Sequence, residues 1–512
     1  MAFYLSKSQY CSALQCPKML WLKKSDTKQY EKCEQNQAVL DSGKEIGDLA
    51  MGLLGEYTEV AYNRDDLSQM VADTEKLLAA GTAVITEASF SYEGLFCSVD
   101  ILKNLGNGCV EIYEVKSTSN RRKICLDDVY FQYFVLTKLG FDVQRTCIVY
   151  LNKDYVRMGD LDIQKLFRRE DITEEAAANM EKVEENVSSI KTFLQQVDEP
   201  GDHVGARCFL PHECGFFEYC TRNLPKPNVF DVANMNKHTM EMYYRNGVIS
   251  FEDLSKHEEL PAYQKMQVDA ELKCSGPQIK DEKIRDFLNG LSYPLYFLDF
   301  EAYTPAIPVY DHCGPNTLLP FQYSLHYIEH AGGKLQHKEF LAEPGVDPRR
   351  ALAEQLCRDI PRGVCILAYH KSYEEGCIKK MADIFEDLKD HLMDMHTHLQ
   401  DLRDPFKVPK KDKDGSAEKA YYCREMEGSS SIKKVLPALF PGDPSLDYKA
   451  LEGVHNGLEA STSYQQMHAM SPEAQAELRN QLLKYCGLDT YAMVKVWAKL
   501  HEAIGLEPDM IW

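Results

Sequence analysis

The run Tyr-Pro-Leu-Tyr-Phe-Leu-Asp-Phe-Glu at 293–301 constrains this chain more than any other stretch. Its apolar residues read as a buried strand that opens an α/β unit. Asp299 and Glu301 sit two apart on it, and residues two apart on a strand share a face. Buried carboxylates are costly unless they are paired or hold a metal. Further acids follow. Glu374 stands in Ala-Tyr-His-Lys-Ser-Tyr-Glu-Glu, where a strand turns into a helix, with Glu375 as a competing choice. Tyr485 and Asp489, in Tyr-Cys-Gly-Leu-Asp, are four apart and lie on one helical face. Four acids and a tyrosine spread over about 190 residues can converge only in a folded α/β core. Such a set can hold two Mg²⁺ ions about 3.5–4 Å apart, one activating water and one stabilising a leaving oxygen. The tyrosine hydroxyl can orient the water. Each short pattern is weak alone; their order is what makes them specific.

A second constellation lies upstream. Asp100 ends a strand-like run at 95–102, and Glu114 and Lys116 share a face of the next strand, 109–116. Two carboxylates and a lysine suit metal-dependent phosphodiester hydrolysis. The acids hold a hard cation through oxygen, and the lysine orients water or stabilises developing charge. Gln132, read at a helix start, is placed to support the lysine or a bound water, and Glu87 could add a ligand.

Cysteine supplies a third pattern. The chain has 17 Cys. Those in apolar runs, such as Cys97, Cys109, Cys147 and Cys365, read as small core residues. Cys208, Cys214 and Cys220 are regularly spaced in Cys-Phe-Leu-Pro-His-Glu-Cys-Gly-Phe-Phe-Glu-Tyr-Cys, and Cys16 is a remote fourth candidate, with Cys11 weaker. Four thiolates suit zinc or an iron–sulfur cluster. The spacing is too wide for the usual zinc knuckle.

Length and charge bound the rest. The 512 residues predict about three domains, with two to four allowed. The net charge of −21 excludes polyanion binding by bulk charge but leaves room for a local basic channel or for metal ions. The basic stretches 116–123 and 407–413 read as solvated loops or phosphate tracks. With no 18-residue apolar run and no secretory pattern, the expectation is a cytoplasmic chain without a membrane partner. His391, His396 and His398 make no zinc-protease pattern, and no phosphate-binding P-loop or nucleophile elbow occurs. The pattern predicts a helix at 67–80, strands at 82–90, 95–102, 109–116 and 143–151, a helix at 127–139, and one long helix at 173–197. A break at Pro225 and Pro227 precedes a helical stretch at 228–275. Strands at 320–328, 335–341 and 363–369, helices at 348–359, 373–390 and 472–501, and a polar loop at 404–430 complete it.

The acid, Glu-Val-Lys and Gln motifs, bracketed by one early and three late cysteines, resemble the RecB-type PD-(D/E)XK nucleases with an iron–sulfur staple. Among these the CRISPR-adaptation exonucleases and AddB-type subunits are the most alike. The resemblance covers about 1–222. It implies a 4Fe–4S cluster on Cys16, Cys208, Cys214 and Cys220, metal ligation by Asp100, Glu114 and Glu87, and a catalytic Lys116. Many relatives carry a His in an early helix, whereas 41–50 has none. The second half, about 293–505, resembles the DEDDy exonucleases of the ribonuclease H-like class. That implies Asp299, Glu301, Glu374 and Asp489 as ligands of Mg²⁺ or Mn²⁺ and Tyr485 as the water-positioning residue. Gly-Ser-Ser-Ser-Ile-Lys-Lys-Val-Leu-Pro (428–437) is similar to the motif of a bacterial family of unknown function that joins both modules, in which Lys433 or Lys434 contacts phosphate or simply opens a helix.

The expected architecture is therefore α/β, with two nuclease-like modules at 1–222 and 291–512 joined by a helical connector at 223–290. The expected activity is metal-dependent phosphodiester hydrolysis, exonucleolytic on single-stranded or free-ended nucleic acid, DNA before RNA, in repair or foreign-DNA defence. The rival is a nucleic-acid-binding scaffold with one or both sites inactive and a structural metal cluster.

Overall fold

The computed structural model describes residues 5–25, 37–121, 123–201, 204–257, 259–274, 276–408 and 417–511, with backbone only at 37–41 and 123–124. The chain divides into two compact units, Met1–Asn223 with Pro305–Thr317, and Leu224–Thr304 with Leu318–Trp512. Both are mixed α/β. Among the described residues no helix is long and apolar enough to cross a membrane.

In the first unit, Ser6 opens helix α1 (Lys7–Gln15) with a capping box: Gln9 N donates to Ser6 Oγ at 3.3 Å, and Ser6 N donates to Gln9 Oε1 at 3.0 Å. Helix α2 (Gln37–Met51) follows. After the helix Leu67–Ala79 come β1 (Val84–Tyr92), β2 (Leu95–Gly106) and β3 (Cys109–Lys116), then α3 (Lys123–Lys138), β4 (Asp142–Leu151) and β5 (Phe167–Asp171). The sheet order is Thr58–Glu59, β1, β2, β3, β4, β5, with Leu5–Ser6 lying parallel along β2. β3 and β4 are parallel, so a crossover must join them, and α3 is that crossover. Val129, Phe131, Val135 and Leu136 are fully buried. Each such side chain contributes about 1.5–3 kcal/mol, which fixes α3 against the sheet and sets Asp128 and Gln132 beside β3. Gln132 thus stands mid-helix rather than at a helix start. The expected helix at 173–197 is two helices, Thr173–Ala178 and Met180–Phe193. They part at Asn179, whose side-chain amide donates to Glu175 O at 2.8 Å and competes with the helical ladder.

In the second unit, residues 224–290 carry the helices Lys237–Arg245, Phe251–Leu254, Ala262–Lys273 and Asp281–Asn289. The sheet then forms from β6 (Leu295–Tyr303), β7 (Leu319–Ile328), β8 (Gln336–Leu341), β9 (Cys365–Ala368) and, after α4 (Ser372–Ile384), β10 (Leu399–Asp401). Its order is β8-β7-β6-β9-β10. β6, β7 and β8 are antiparallel neighbours, while β9 runs parallel to β6 and β10 parallel to β9. The stretch expected as one helix at 373–390 ends at Ile384, and a separate helix, Lys389–His398, follows. Helices α5 (Ile432–Leu439), α6 (Gly457–Met467) and α7 (Pro472–Ala503) close the unit.

α7 fixes the geometry of β6. Trp497 is 2% exposed and meets Phe297 edge-on at 5.9 Å between ring centroids. Phe297, Asp299 and Glu301 share one face of β6. From Phe297 to Glu301 the strand rises about 13 Å. From Trp497 back to Asp489 the helix rises about 12 Å. Anchoring one end by the aromatic pair therefore delivers Asp489 to the carboxylates at the other.

Candidate functional site

Carboxylate oxygens of Asp299, Glu301 and Asp489 all lie within 4.8 Å of one another, the one such group of potential metal ligands among the described residues. At that separation two ionised carboxylates repel by roughly 3 kcal/mol at an effective dielectric of about 20. Burial, then the charges of Asp489, Glu301 and Glu374, drive Asp299 well above the usual carboxylate range. Burial and the neighbouring acids raise Glu301 in the same way. Burial raises Asp489 to about 6, against the lowering effect of hydrogen bonds from Tyr448 and Tyr485. Glu374 is 2% exposed, its Oε2 has no hydrogen-bond partner, and burial pushes it up to about 8. It stands in the first turn of α4, outside the tight triple, and its charge acts on Asp299 and Glu301. Glu375, the competing choice, instead pairs with Lys371 at 2.9 Å.

The surrounding wall was not legible in the sequence. Tyr448 donates to Asp489 Oδ1 at 2.6 Å, and its ring stands edge-on to Tyr485 at 6.0 Å. Gly457 opens α6 against the site: a Cβ there would lie 3.4 Å from Glu301 Oε2. The positive end of the α6 dipole therefore faces a carboxylate. Lys433 adds a favourable charge toward Asp489, whereas Lys434 is paired with Glu427 at 2.6 Å. The donors fit a hard divalent cation: they are all oxygen, close together, mutually repelling in its absence, and joined by an orphaned carboxylate atom on Glu374.

The upstream constellation is assembled differently. Glu114 is 2% exposed and both of its oxygens are engaged. Lys7 and Lys116 donate to Oε1 at 2.8 and 2.9 Å, and Gln132 Nε2 donates to Oε2 at 2.6 Å. Gln132 also donates to Ser98 O at 3.0 Å, so it supports Glu114 rather than the lysine. Lys116 is further bound by Asp128. Burial alone would raise Glu114, but the Lys116 and Lys7 ammoniums pull it down to about 2. Asp100 accepts from Val115 N at 2.6 Å, and burial and Glu114 raise it to about 7. Glu87 and Asp100 lie between the Thr86–Ile101 and Ala88–Val99 pairs of the β1–β2 ladder, Glu87 at a backbone φ of +54°, a strained conformation for a non-glycine residue. Burial raises its carboxyl. Glu87, Asp100 and Lys116 line a cavity of about 320 Å³ together with Asp48 and Lys44 of α2. Asp48 is the acid that the His-less segment 41–50 contributes. Lys7 left no sequence signal, since 107 positions separate it from Glu114.

Cys16, Cys208, Cys214 and Cys220 line a single small cavity closed by Met19, Leu22, Val204 and Phe216. Gln15 Nε2 donates to Arg207 O at 2.9 Å and to His212 O at 2.7 Å, tying the end of α1 to the cysteine loop. Burial, with the Cys214 and Cys16 thiols adding, raises Cys208 to about 11. No three of these sulfurs lie within 4.8 Å of one another, whereas zinc–sulfur bonds of about 2.3 Å set tetrahedral corners roughly 3.8 Å apart. Four thiols around one cavity are the donor type that soft metals take. Cys11 is turned away and donates to Asp128 Oδ1 at 2.9 Å. Cys109, expected in a core, is half-buried.

Of the basic stretches, the described cations Arg121 and Lys407 are engaged. Arg121 pairs with Glu170 at 2.6 Å and with Glu175. Lys407 pairs with Asp401 at 2.7 Å. Arg122 and residues 409–413 lie outside the described residues. Residues 296–431 match the model of one protein family, described as a domain of unknown function (DUF2779). The match takes in Asp299, Glu301 and Glu374 and stops before Tyr485 and Asp489. No curated protein and no solved structure matches the chain.

Proposed function

We propose that this chain is a metal-dependent nuclease whose hydrolytic centre is Asp299, Glu301, Glu374 and Asp489, acting on single-stranded or free-ended DNA. The observation that carries this reading is the convergence of Asp299, Glu301 and Asp489 within 4.8 Å in a site where burial and mutual repulsion favour a cation. Bound Mg²⁺ or Mn²⁺ would supply Lewis-acid polarisation of the phosphate and a more acidic water. The protein's part is positional. Glu301 and Asp299 stand on the rigid central strand, Asp489 is locked by the Trp497 anchor and the Tyr448 hydroxyl, and Tyr485 stays protonated, a donor able to orient water. Support for a ribonuclease H-like module comes from a five-stranded mixed sheet with the acid-bearing strand in its middle. Support for the RecB-like module comes from the shared cavity of Glu87, Asp100 and Lys116 beside Glu114.

For the first unit a second reading has a specific observation behind it. Glu114 is already neutralised by two lysines, which favours a nucleic-acid-binding scaffold whose PD-(D/E)XK-type site does not cleave. The four-cysteine cavity is read as the seat of a 4Fe–4S cluster that staples α1 to 208–220. In anaerobically purified protein, a brown absorbance should be lost in Cys16→Ser and kept in Cys11→Ser; loss in both would reassign the fourth ligand.

The deciding assay incubates end-labelled single- and double-stranded DNA and RNA with Mg²⁺, Mn²⁺ or chelator. Wild type should cleave and Asp299→Asn should not. Lys116→Ala separates the readings of the first unit: retained cleavage assigns all hydrolysis to the second centre. Cleavage by Asp299→Asn at the wild-type rate would sink the proposal.

A further inference from the structure

A cavity of about 430 Å³ in the second unit is bounded by the start of α4, the end of β10 and the stretch 419–430. Lys371, Arg403, Lys407 and Lys419 line it, with Ser372 and Ser430. Only two acids, Glu375 and Asp401, stand among the lining residues, and each already holds a lysine: Lys371 at 2.9 Å and Lys407 at 2.7 Å. That leaves two cations without a carboxylate within 4.0 Å among the described residues.

Lys419 is the more telling of them. It is 2% exposed, donates to Gly428 O, and lies 4.9 Å from the centroid of the Tyr422 ring. Arg403 donates from Nε to Ser430 Oγ at 2.9 Å. The charge that acts on Lys419 is that of Arg403, a like charge. Burial first, and Arg403 second, pull the Lys419 ammonium down to about 8. A buried ammonium facing another cation is unfavourable unless an anion compensates both. Guanidinium and ammonium together, beside serine hydroxyls and the N-terminal end of a 13-residue helix, are the donor set that phosphate oxygens take. The same helix turn carries Glu374 to the acidic centre and Ser372 and Glu375 to this cavity wall.

We propose that this cavity is a phosphate subsite holding a backbone phosphate of the strand whose scissile bond lies at the Asp299 centre. The inference rests on the hydrolase reading above. It explains how a chain of net charge −21 can hold a polyanion: by a few sequestered cations rather than by overall charge.

The test measures fluorescence anisotropy of a labelled single-stranded oligonucleotide in chelator, where cleavage cannot occur. Wild type, Arg403→Gln, Lys419→Met and Asp299→Asn are compared as full chains, with inorganic phosphate and a nucleoside 5′-monophosphate as competitors. Because Lys419 is buried, Arg403→Gln, at a half-buried position, is the independent check, and thermal melting confirms that each variant is folded. Each loss of a charge-assisted contact should weaken strand binding about tenfold and flatten its salt dependence, while Asp299→Asn binds at least as tightly as wild type. Unchanged affinity and salt slope in both cation variants would overturn the subsite while leaving hydrolysis untouched. A wild type that binds phosphate or the monophosphate through Arg403 and Lys419 but does not bind the strand would overturn the strand assignment. Strand binding lost in the cation variants, with no cleavage under any metal, would support the subsite and remove the hydrolase reading on its own.

Discussion

Two clusters of buried carboxylates in one chain solve the problem of their own charge in opposite ways. Around Glu114 the protein supplies its own cations, Lys7 and Lys116, on one oxygen and the neutral Gln132 amide on the other, and the carboxyl is held down near 2. Around Asp299 there is no ammonium or guanidinium within ion-pair distance of the acids among the described residues, and the carboxyls are pushed up. The difference teaches that a charge-balanced acid is stabilised in place, whereas an unbalanced cluster is unfavourable until a cation arrives. The first arrangement suits a scaffold, or a site where metal must displace a lysine. The second suits a resident divalent ion.

That contrast can be broken at several points. The largest effect should come from Asp299→Asn, which ought to reduce Mn²⁺-dependent cleavage on the order of 10³-fold or more, about 4 kcal/mol of barrier. Quantitative rates on end-labelled strand check it, and a loss under tenfold would mean that the acidic cluster is not the reacting centre. Next, Lys116→Met should destabilise the metal-free protein by roughly 3–5 kcal/mol, because it leaves Glu114 buried with half its compensation. A melting curve superimposable on wild type would show that Glu114 is not held by its lysines.

Glu114 and the second centre should respond oppositely to pH, because Glu114 is held down near 2 while the second centre, like Asp100 beside Glu114, is pushed up. At the second centre the folded state retains protons that the unfolded chain releases, since Asp489 is raised to about 6 and Glu374 to about 8. Metal-free stability therefore falls as pH climbs from about 4 toward 8. Mn²⁺ at 100 times its dissociation constant should restore about 2.7 kcal/mol, and Glu301→Gln should reduce the fall. A pH profile that is flat without metal would contradict the repulsion argument. The smallest effect is expected of Tyr448→Phe. Asp489 loses a hydrogen bond that lowers it, worth about 1.5–3 kcal/mol when the acid is charged. The acid limb of the cleavage–pH profile should therefore move upward, while the melting temperature at pH 5, where Asp489 at about 6 is mostly protonated and the bond is an ordinary neutral one, should fall by no more than a few degrees. An unmoved limb would make Tyr448 a packing residue alone.

Much of the second centre was visible in the chain itself. Asp299 and Glu301 interrupt an apolar strand, where only a strong compensating interaction tolerates them, and Tyr485 and Asp489 share a helical face by spacing alone. The hairpin at 82–102 and the strand at 109–116 were equally plain, because a period of two and a glycine at the turn are local properties. The cysteine positions were legible as a pattern, and α1 carries Cys16 to the other three. By contrast, the break at Asn179 depended on one side chain competing for a backbone carbonyl, and β5 and β10 were too short to show a period.

What the amino-acid order determined by itself was the inventory and local periodicity: which acids lie on strands, which on helices, and that the overall charge cannot hold a polyanion. What only the tertiary structure decided was the company each charge keeps. Lys7 beside Glu114, Tyr448 on Asp489, Asp48 at the Glu87 cavity and Lys419 facing Arg403 are all contacts between residues far apart in sequence. Their energies depend on burial and on distances of a few ångströms, which no spacing rule encodes, and those energies separate a neutralised acid from one that calls for a metal.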